Sequence, residues 1–165
     1  MPAFVNTNRM VQLGTAWTGT VAPGVGGSTA VTNTGTLTSP QDISAFVKSG
    51  NPSTKAAMQD VTTFGSGGFT QVIPGLKSGD DITFECVSDF AAAQLYAIVQ
   101  TTLGGLGAAV YLDIKATNAT RSATNPSFAG FGYISSWTPA GGGVGDAAMA
   151  SLTISISGRF ADITG

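Results

Sequence analysis

Ser151-Leu152-Thr153-Ile154-Ser155-Ile156-Ser157-Gly158-Arg159-Phe160 is the stretch that decides the fold. Apolar Leu152, Ile154, Ile156 and Phe160, with Gly158, alternate strictly with hydroxylated or charged neighbours. A period of two puts one set on each face of an extended chain, so this is a half-buried strand with a hydroxyl-bearing second face. The pattern recurs upstream. Ile82, Phe84 and Cys86 alternate with Thr83 and Glu85, and Val110, Leu112, Ile114 and Ala116 alternate with Tyr111, Asp113, Lys115 and Thr117. Over residues 128–137, Phe131, Tyr133 and Trp137 fall on one register, with Phe128, Gly130, Gly132 and Ile134 on the other. Weaker strand signals lie at 10–17, 43–48, 55–63 and 69–73.

One segment departs from this period. Leu95, Ile98, Val99 and Leu103 recur at helical spacing after Ala91-Ala92-Ala93. Ser88 or Asp89 is placed to cap the start and Gly104-Gly105 to end it, which predicts a helix over 89–103 of about four turns. Two segments rich in Gly, Thr, Ser and Pro, around 18–40 and 138–146, read as loops. Pro74-Gly75 and Lys77-Ser78-Gly79-Asp80 read as tight turns. Phe64 and Phe69 flank Gly65-Ser66-Gly67-Gly68 as aromatics at the base of a hairpin tip. The fold class is therefore mainly β, a sandwich or barrel-like sheet with one flanking helix, in a single domain over residues 1–165.

Composition excludes several functions. The chain has 165 residues, no histidine and one cysteine. Without His there is no Ser-His-Asp or Cys-His catalysis and no His-ligated metal. Lone Cys86 excludes intrachain disulfides and cysteine clusters. Seven basic and nine acidic residues give a net charge of −2, unlike an electrostatically driven nucleic-acid binder. Only 10% of residues are charged, less than a solvated monomer surface normally carries, so much of the surface is expected to face partners. Met1 to Asn6 carries no basic region and precedes no long apolar run, and predicts no secretory leader. No run approaches the ~18 apolar residues of a membrane helix, so no membrane insertion is expected.

Individual motifs carry little chemistry. Gly141-Gly142-Gly143-Val144-Gly145 lacks the Lys-Ser or Lys-Thr of a phosphate loop, and Asp146 would repel an anion. Asp80, Asp81 and Glu85 lack calcium-loop spacing and read as solvated turn and strand charges. Cys86 lies on the apolar register without a base or cation to activate it. Asn118-Ala119-Thr120 is a short glycosylation pattern that occurs by chance. Trp17 and Trp137 suit core or interface packing better than base or sugar stacking, given the absence of a basic groove. The hydroxylated strand faces suit an ice or sugar surface, or equally a partner-facing sheet. No set of acid, base and nucleophile emerges, so an enzyme is not expected, and neither is a cofactor or metal.

Four stretches in order carry a family resemblance. They are Asp42-Ile43-Ser44-Ala45-Phe46-Val47-Lys48, then Asp60-Val61-Thr62-Thr63-Phe64-Gly65, then Phe69 with Ile73-Pro74-Gly75-Leu76-Lys77-Ser78-Gly79 and the strand 81–87, then Tyr133-Ile134-Ser135-Ser136-Trp137-Thr138-Pro139 through Gly145-Asp146 to the closing strand. With the helix between the third and fourth, this order resembles the major tail tube proteins of long non-contractile-tailed bacteriophages over residues 40–160. The Gly/Thr-rich segment 18–40 departs from that compact pattern.

The resemblance implies a virion tail protein assembled in the host cytoplasm. Its six-fold rings would stack into a hollow tube through which genome DNA leaves, with tape-measure and tail terminator proteins as further partners. It also implies assembly or loop roles for Phe64, Gly65, Phe69, Pro74, Gly75, Trp137 and Asp146. The helix is expected on the sandwich, away from the bore. A capsid decoration or head–tail connector protein is a second reading of the same residues. A carbohydrate-binding or adhesin module, with a cleft near Trp17 or Trp137, is a third.

Overall fold

In the computed structural model, the described residues are 9–19, 35–63, 65, 67–88, 90, 94–141, 148–158 and 160–163. The strands are β1 (Met10–Gly14), β2 (Ala16–Thr18), β3 (Thr36–Thr38), β4 (Gln41–Asp42), β5 (Val47–Ser49), β6 (Thr54–Asp60), β7 (Val72–Gly79), β8 (Ile82–Val87), β9 (Ala109–Lys115), β10 (Ser127–Gly141), β11 (Met149–Ile156) and β12 (Ala161–Ile163). Eight of them form one antiparallel sheet in the order β4-β1-β9-β10-β11-β8-β5, with β12 also paired to β10. β2-β3 and β6-β7 are separate two-stranded ribbons.

The alternating stretches occupy the centre of the sheet. Leu152 pairs with Phe84 and Ile154 with Ile82 across β11 and β8, and all four are buried. Val11, Leu13, Val110, Leu112 and Ile114 continue the apolar face onto β1 and β9. The sheet curls around this face, and a short helical segment closes it: α1 (Leu95–Ala97) runs directly into a π-helical turn (Ile98–Thr102). Leu95, Ile98, Val99 and Leu103 all enter the core, as their spacing predicts. The chain is thus mainly β with one flanking helix, built on a single curled sheet.

The helix is shorter than the expected span 89–103. Phe90 lies outside any helix, and Gln94 is extended (φ −96°, ψ −174°) with no side-chain cap. The run Ile98-Val99-Gln100-Thr101-Thr102 is rich in β-branched residues that pack poorly in an α-helix. There the ladder widens to a Leu103 N–H to Ile98 carbonyl bond of 2.9 Å. Gly104 (φ +92°) and Gly105 (φ +73°) end the segment in the left-handed region, as expected. Asp89 and Ala91 to Ala93 lie outside the described residues.

Three further expectations are corrected. The strand signal at 43–48 is a turn followed by β5. The Ser44 N–H and hydroxyl both donate to Asp42 Oδ1, at 2.9 and 2.5 Å, which draws the backbone out of the ladder. Pro74-Gly75 and Lys77-Ser78-Gly79 are not turns but part of β7. Met58 pairs with Pro74 and Ala56 with Lys77, so β7 carries one extra residue as a bulge. A two-stranded ribbon is all edge, so Pro74 is tolerated there without an N–H. Finally, β10 bulges between Ile134 and Ser136: Ile134 pairs with Ile154, whereas Trp137 pairs with Leu152. That inserted residue moves Trp137 from the Phe131–Tyr133 register onto the core face.

Both expected loops start or end in strand. Residues 36–38 pair with 16–18, and 138–141 extend β10. Positions 20–34 and 142–147 lie outside the described residues.

Candidate functional site

Of the seven residues singled out for assembly, Gly65, Phe69, Pro74 and Gly75 come together on the β6-β7 ribbon and its tip. Trp137 is elsewhere, packed against the core. Phe64 and Asp146 lie outside the described residues. Phe69 does not tie the hairpin base as expected, because its ring is 78% exposed.

The ribbon is held at both ends by polar contacts. At the tip, the Val61 N–H donates to the Gln71 carbonyl and the Gln71 N–H to Thr62 Oγ1, each at 2.9 Å. A side-chain hydrogen bond from Thr62, and then its N–H at 2.8 Å from Asp60 Oδ1, lower the Asp60 pKa. At the base, Lys55 pairs with Asp80, which also accepts from Ser53 Oγ at 2.7 Å. The bonds from Lys55, then Ser53, lower the Asp80 pKa, and the same pair raises that of Lys55.

Between its ends the ribbon is bare on both faces. Cross-strand partners share a face, so Met58, Val72 and Pro74 lie on one side, with Asp60 and Lys77. Ile73 and Gln59 lie on the other. Leu76 sits at the bulge and is 88% exposed. Met58, Val61, Val72 and Ile73 are also exposed. A free ribbon in water needs one polar face; this one has apolar groups on both and two unpaired edges. Nothing in the sequence signals that this ribbon is apolar on both faces, because adjacent Val72-Ile73 breaks the alternation that marks a one-sided strand.

The face of the main sheet opposite the core is divided in two. Across β5, β8 and β11 it is hydroxylated and weakly acidic. Thr83 and Thr153 hydroxyls lie 3.0 Å apart, Ser49 donates to Glu85 at 3.1 Å, and Ser155 donates to Asp81 at 3.0 Å. Lys48 stands at one end, its Nζ 3.9 Å from Met149 Sδ. Across β9 and β10 the same face is aromatic: Trp17, Tyr111, Phe131 and Tyr133 follow one another at centroid spacings of 6.4, 4.8 and 5.4 Å.

The β2-β3 ribbon is clasped onto this aromatic half. Arg121 Nη2 meets buried Asp113 at 2.5 Å, its Nη1 donates to the Gly35 carbonyl at 2.7 Å, and its guanidinium lies 5.8 Å from the Trp17 ring centroid. The buried Ser127 hydroxyl donates to the other Asp113 oxygen.

Cys86 is buried between Phe84 and the sheet interior, and burial pushes its thiol up to about 11. It is a core residue in its surroundings. Among the described residues no group of three or more His, Cys, Asp or Glu is arranged to hold a metal. Among them, too, no helix is long and apolar enough to cross a membrane.

No family model matches the chain, and no curated protein matches it. Solved structures do. A chain of the native gene transfer agent virion aligns with a TM-score of 0.53 and 18% identity, covering 74% of this chain and 88% of that one. A chain from the tail of the empty gene transfer agent particle, refined with C6 symmetry, gives the same score and identity over 74% and 85%. The SPP1 tail tube aligns at 0.59 with 13% identity, over 99% of this chain and 80% of that chain. The fold is that of a tail tube protein.

Proposed function

We propose that this chain is a structural virion protein whose six-fold rings stack into a phage tail tube, the conduit for genome DNA on ejection into the host. The observation that carries the reading is the β6-β7 ribbon, which leaves apolar groups uncovered on two faces of a chain with the tail tube fold. Such a ribbon is completed by other copies, and assembly also removes the unpaired edges of the sheet. The C6 symmetry of the gene transfer agent tail supports six copies per ring. Four strands from each of six copies, about 24 at ~4.8 Å and tilted ~40°, close a barrel about 48 Å wide. Inner side chains reduce that by roughly 10 Å, which still passes a duplex about 20 Å across.

The hydroxylated half of the sheet suits the bore. Thr83, Glu85, Ser151, Thr153 and Ser155 present hydroxyls and a carboxylate where a cationic wall would release counterions from DNA and hold it. Tape-measure and terminator proteins would complete the tail, and the low charge fits a surface largely covered by like copies. A carbohydrate-binding module is less well supported, since Trp137 packs into the core and Trp17 lies against Tyr111 beside Arg121.

Particles carrying Thr83→Lys or Thr153→Lys test the conduit. Tubes should still form, and DNA ejection should slow with each added cation and recover as salt is raised. Unchanged ejection from tubes with both substitutions would remove this face from the bore.

A further inference from the structure

A second group of exposed apolar side chains lies far along the chain from the ribbon, on α1 and its flanks. Phe90 and Tyr96 stack at 5.3 Å between centroids, and Phe90 is 56% exposed. Leu106 follows the helix and is 68% exposed. It stands between Gly105 (φ +73°) and Gly107 (φ +84°), in a loop pinned by the Gly107 N–H to the Ile134 carbonyl at 2.8 Å. On its inner side the same segment sends Leu95, Ile98, Val99 and Leu103 into the core. Its outer side carries exposed Tyr96 beside Gln100, Thr101 and Thr102, polar but uncharged, so the exposed Tyr96 and Leu106 have no charged neighbours on this segment.

Residues 94–108 contain no charged side chain. An interface core is depleted of charge because each buried charge must be desolvated. A seat with no charge over fifteen consecutive residues meets that requirement. The ribbon brings the matching half: Ile73 and Leu76 on one side, with the edges of β6 and β7 open.

Symmetry selects between the ways of joining these patches. Ribbon against ribbon is a self-complementary contact and closes at a dimer. Ribbon against the α1 patch is heterologous: every copy keeps one free ribbon and one free seat, so the contact propagates into rings or stacks. The structure thus points to a specific pairing, and we infer that the β6-β7 ribbon of one copy, through Ile73 and Leu76, docks on the Phe90–Tyr96–Leu106 patch of a second copy of this chain. The inference rests on the assembly reading above and adds which two surfaces meet.

Complementary variants test it. Ile73→Asp/Leu76→Asp disables the ribbon, and Tyr96→Asp/Leu106→Asp disables the seat. Each variant alone should sediment as a monomer where the wild-type chain assembles. Mixed in equal amounts, they keep one intact ribbon and one intact seat between them, and should form a dimer of twice the chain's mass. A seat variant that assembles like wild type overturns the pairing, as does a mixture that stays monomeric. For a readout independent of those charges, copies with Leu76→Cys and copies with Leu106→Cys are co-assembled and treated with a short bismaleimide. Cross-links between unlike copies are expected; cross-links confined to like copies overturn the inference. A wild-type chain that never assembles would instead count against the tail tube reading itself.

Discussion

Two Leu→Ala substitutions, identical in chemistry and opposite in place, separate assembly from folding. Leu76 is 88% exposed on the ribbon and Leu152 is 0% exposed in the core. Removing three carbons from Leu76 deletes apolar area worth roughly 2 kcal/mol at about 0.8 kcal/mol per methylene, gained only when another copy covers it. In the proposed tube each copy contributes one ribbon, so its free energy of addition should fall by about that amount. At 1.4 kcal/mol per tenfold, the critical concentration for assembly should rise about 30-fold. The dispersed chain should be almost unaffected, since surface changes stay within about 0.5 kcal/mol, or roughly 2 °C in Tm for a chain of this size. Leu152→Ala should do the reverse. A core cavity costs about 2–5 kcal/mol, lowering Tm by roughly 4–20 °C. The assay pairs thermal unfolding below the assembly threshold with sedimentation across a concentration series. A Leu76→Ala chain whose critical concentration stays within about twofold of wild type would refute the reasoning, because the exposed ribbon would then be ordinary surface.

The Arg121–Asp113 clasp predicts non-additive stability. Arg121→Met leaves a buried carboxylate without its cation and should cost about 3 kcal/mol, while Arg121→Met/Asp113→Leu should recover most of it in thermal melts; a double variant no more stable than Arg121→Met would show that the stranded carboxylate is not the source of the loss. Lowered carboxylate pKa values make the ribbon acid-sensitive. The contribution of the Lys55–Asp80 pair is fully present above the ordinary Asp value of 3.8 and is lost as pH falls through the lower folded value. Carbon-detected titration of Asp80 should place its midpoint below 3.8, moving up toward 3.8 in Lys55→Met; a wild-type midpoint at or above 3.8 would contradict the pair's role. Cys86, with its thiol raised to about 11, should stay unreactive to a thiol reagent at pH 8 in the folded chain and react completely on unfolding. Rapid labelling of the folded chain would contradict its place in the core.

The parts of the fold that were legible are those where one physical signal acts alone. Leu152, Ile154, Ile82, Phe84 and Cys86 alternate because one face is buried, and they form the centre of the sheet. Leu95, Ile98, Val99 and Leu103 keep helical spacing because they close the core, although the helix begins only at Leu95 and widens to a π-turn over the β-branched run from Ile98. What stayed hidden depends on pairing between distant segments. The bulge at Ser135 is invisible locally, yet it reverses the face of Trp137. Pro74-Gly75 carries a turn signal that the ribbon absorbs as a bulge against Ala56 and Met58. The Asp113–Arg121–Trp17 clasp joins residues that share no spacing rule. The ribbon proposed for assembly was half legible: Phe69, Pro74 and Gly75 lie on it or at its tip, whereas the exposure of Met58, Ile73 and Leu76 shows only once the two strands are paired.

Electron microscopy of the purified chain at high concentration tests the central claim most directly. The account predicts rings with six-fold symmetry and stacked tubes, with a central bore about 40 Å wide from the barrel arithmetic. A chain that remains monomeric at high concentration, or that forms only trimers without a bore, would contradict it.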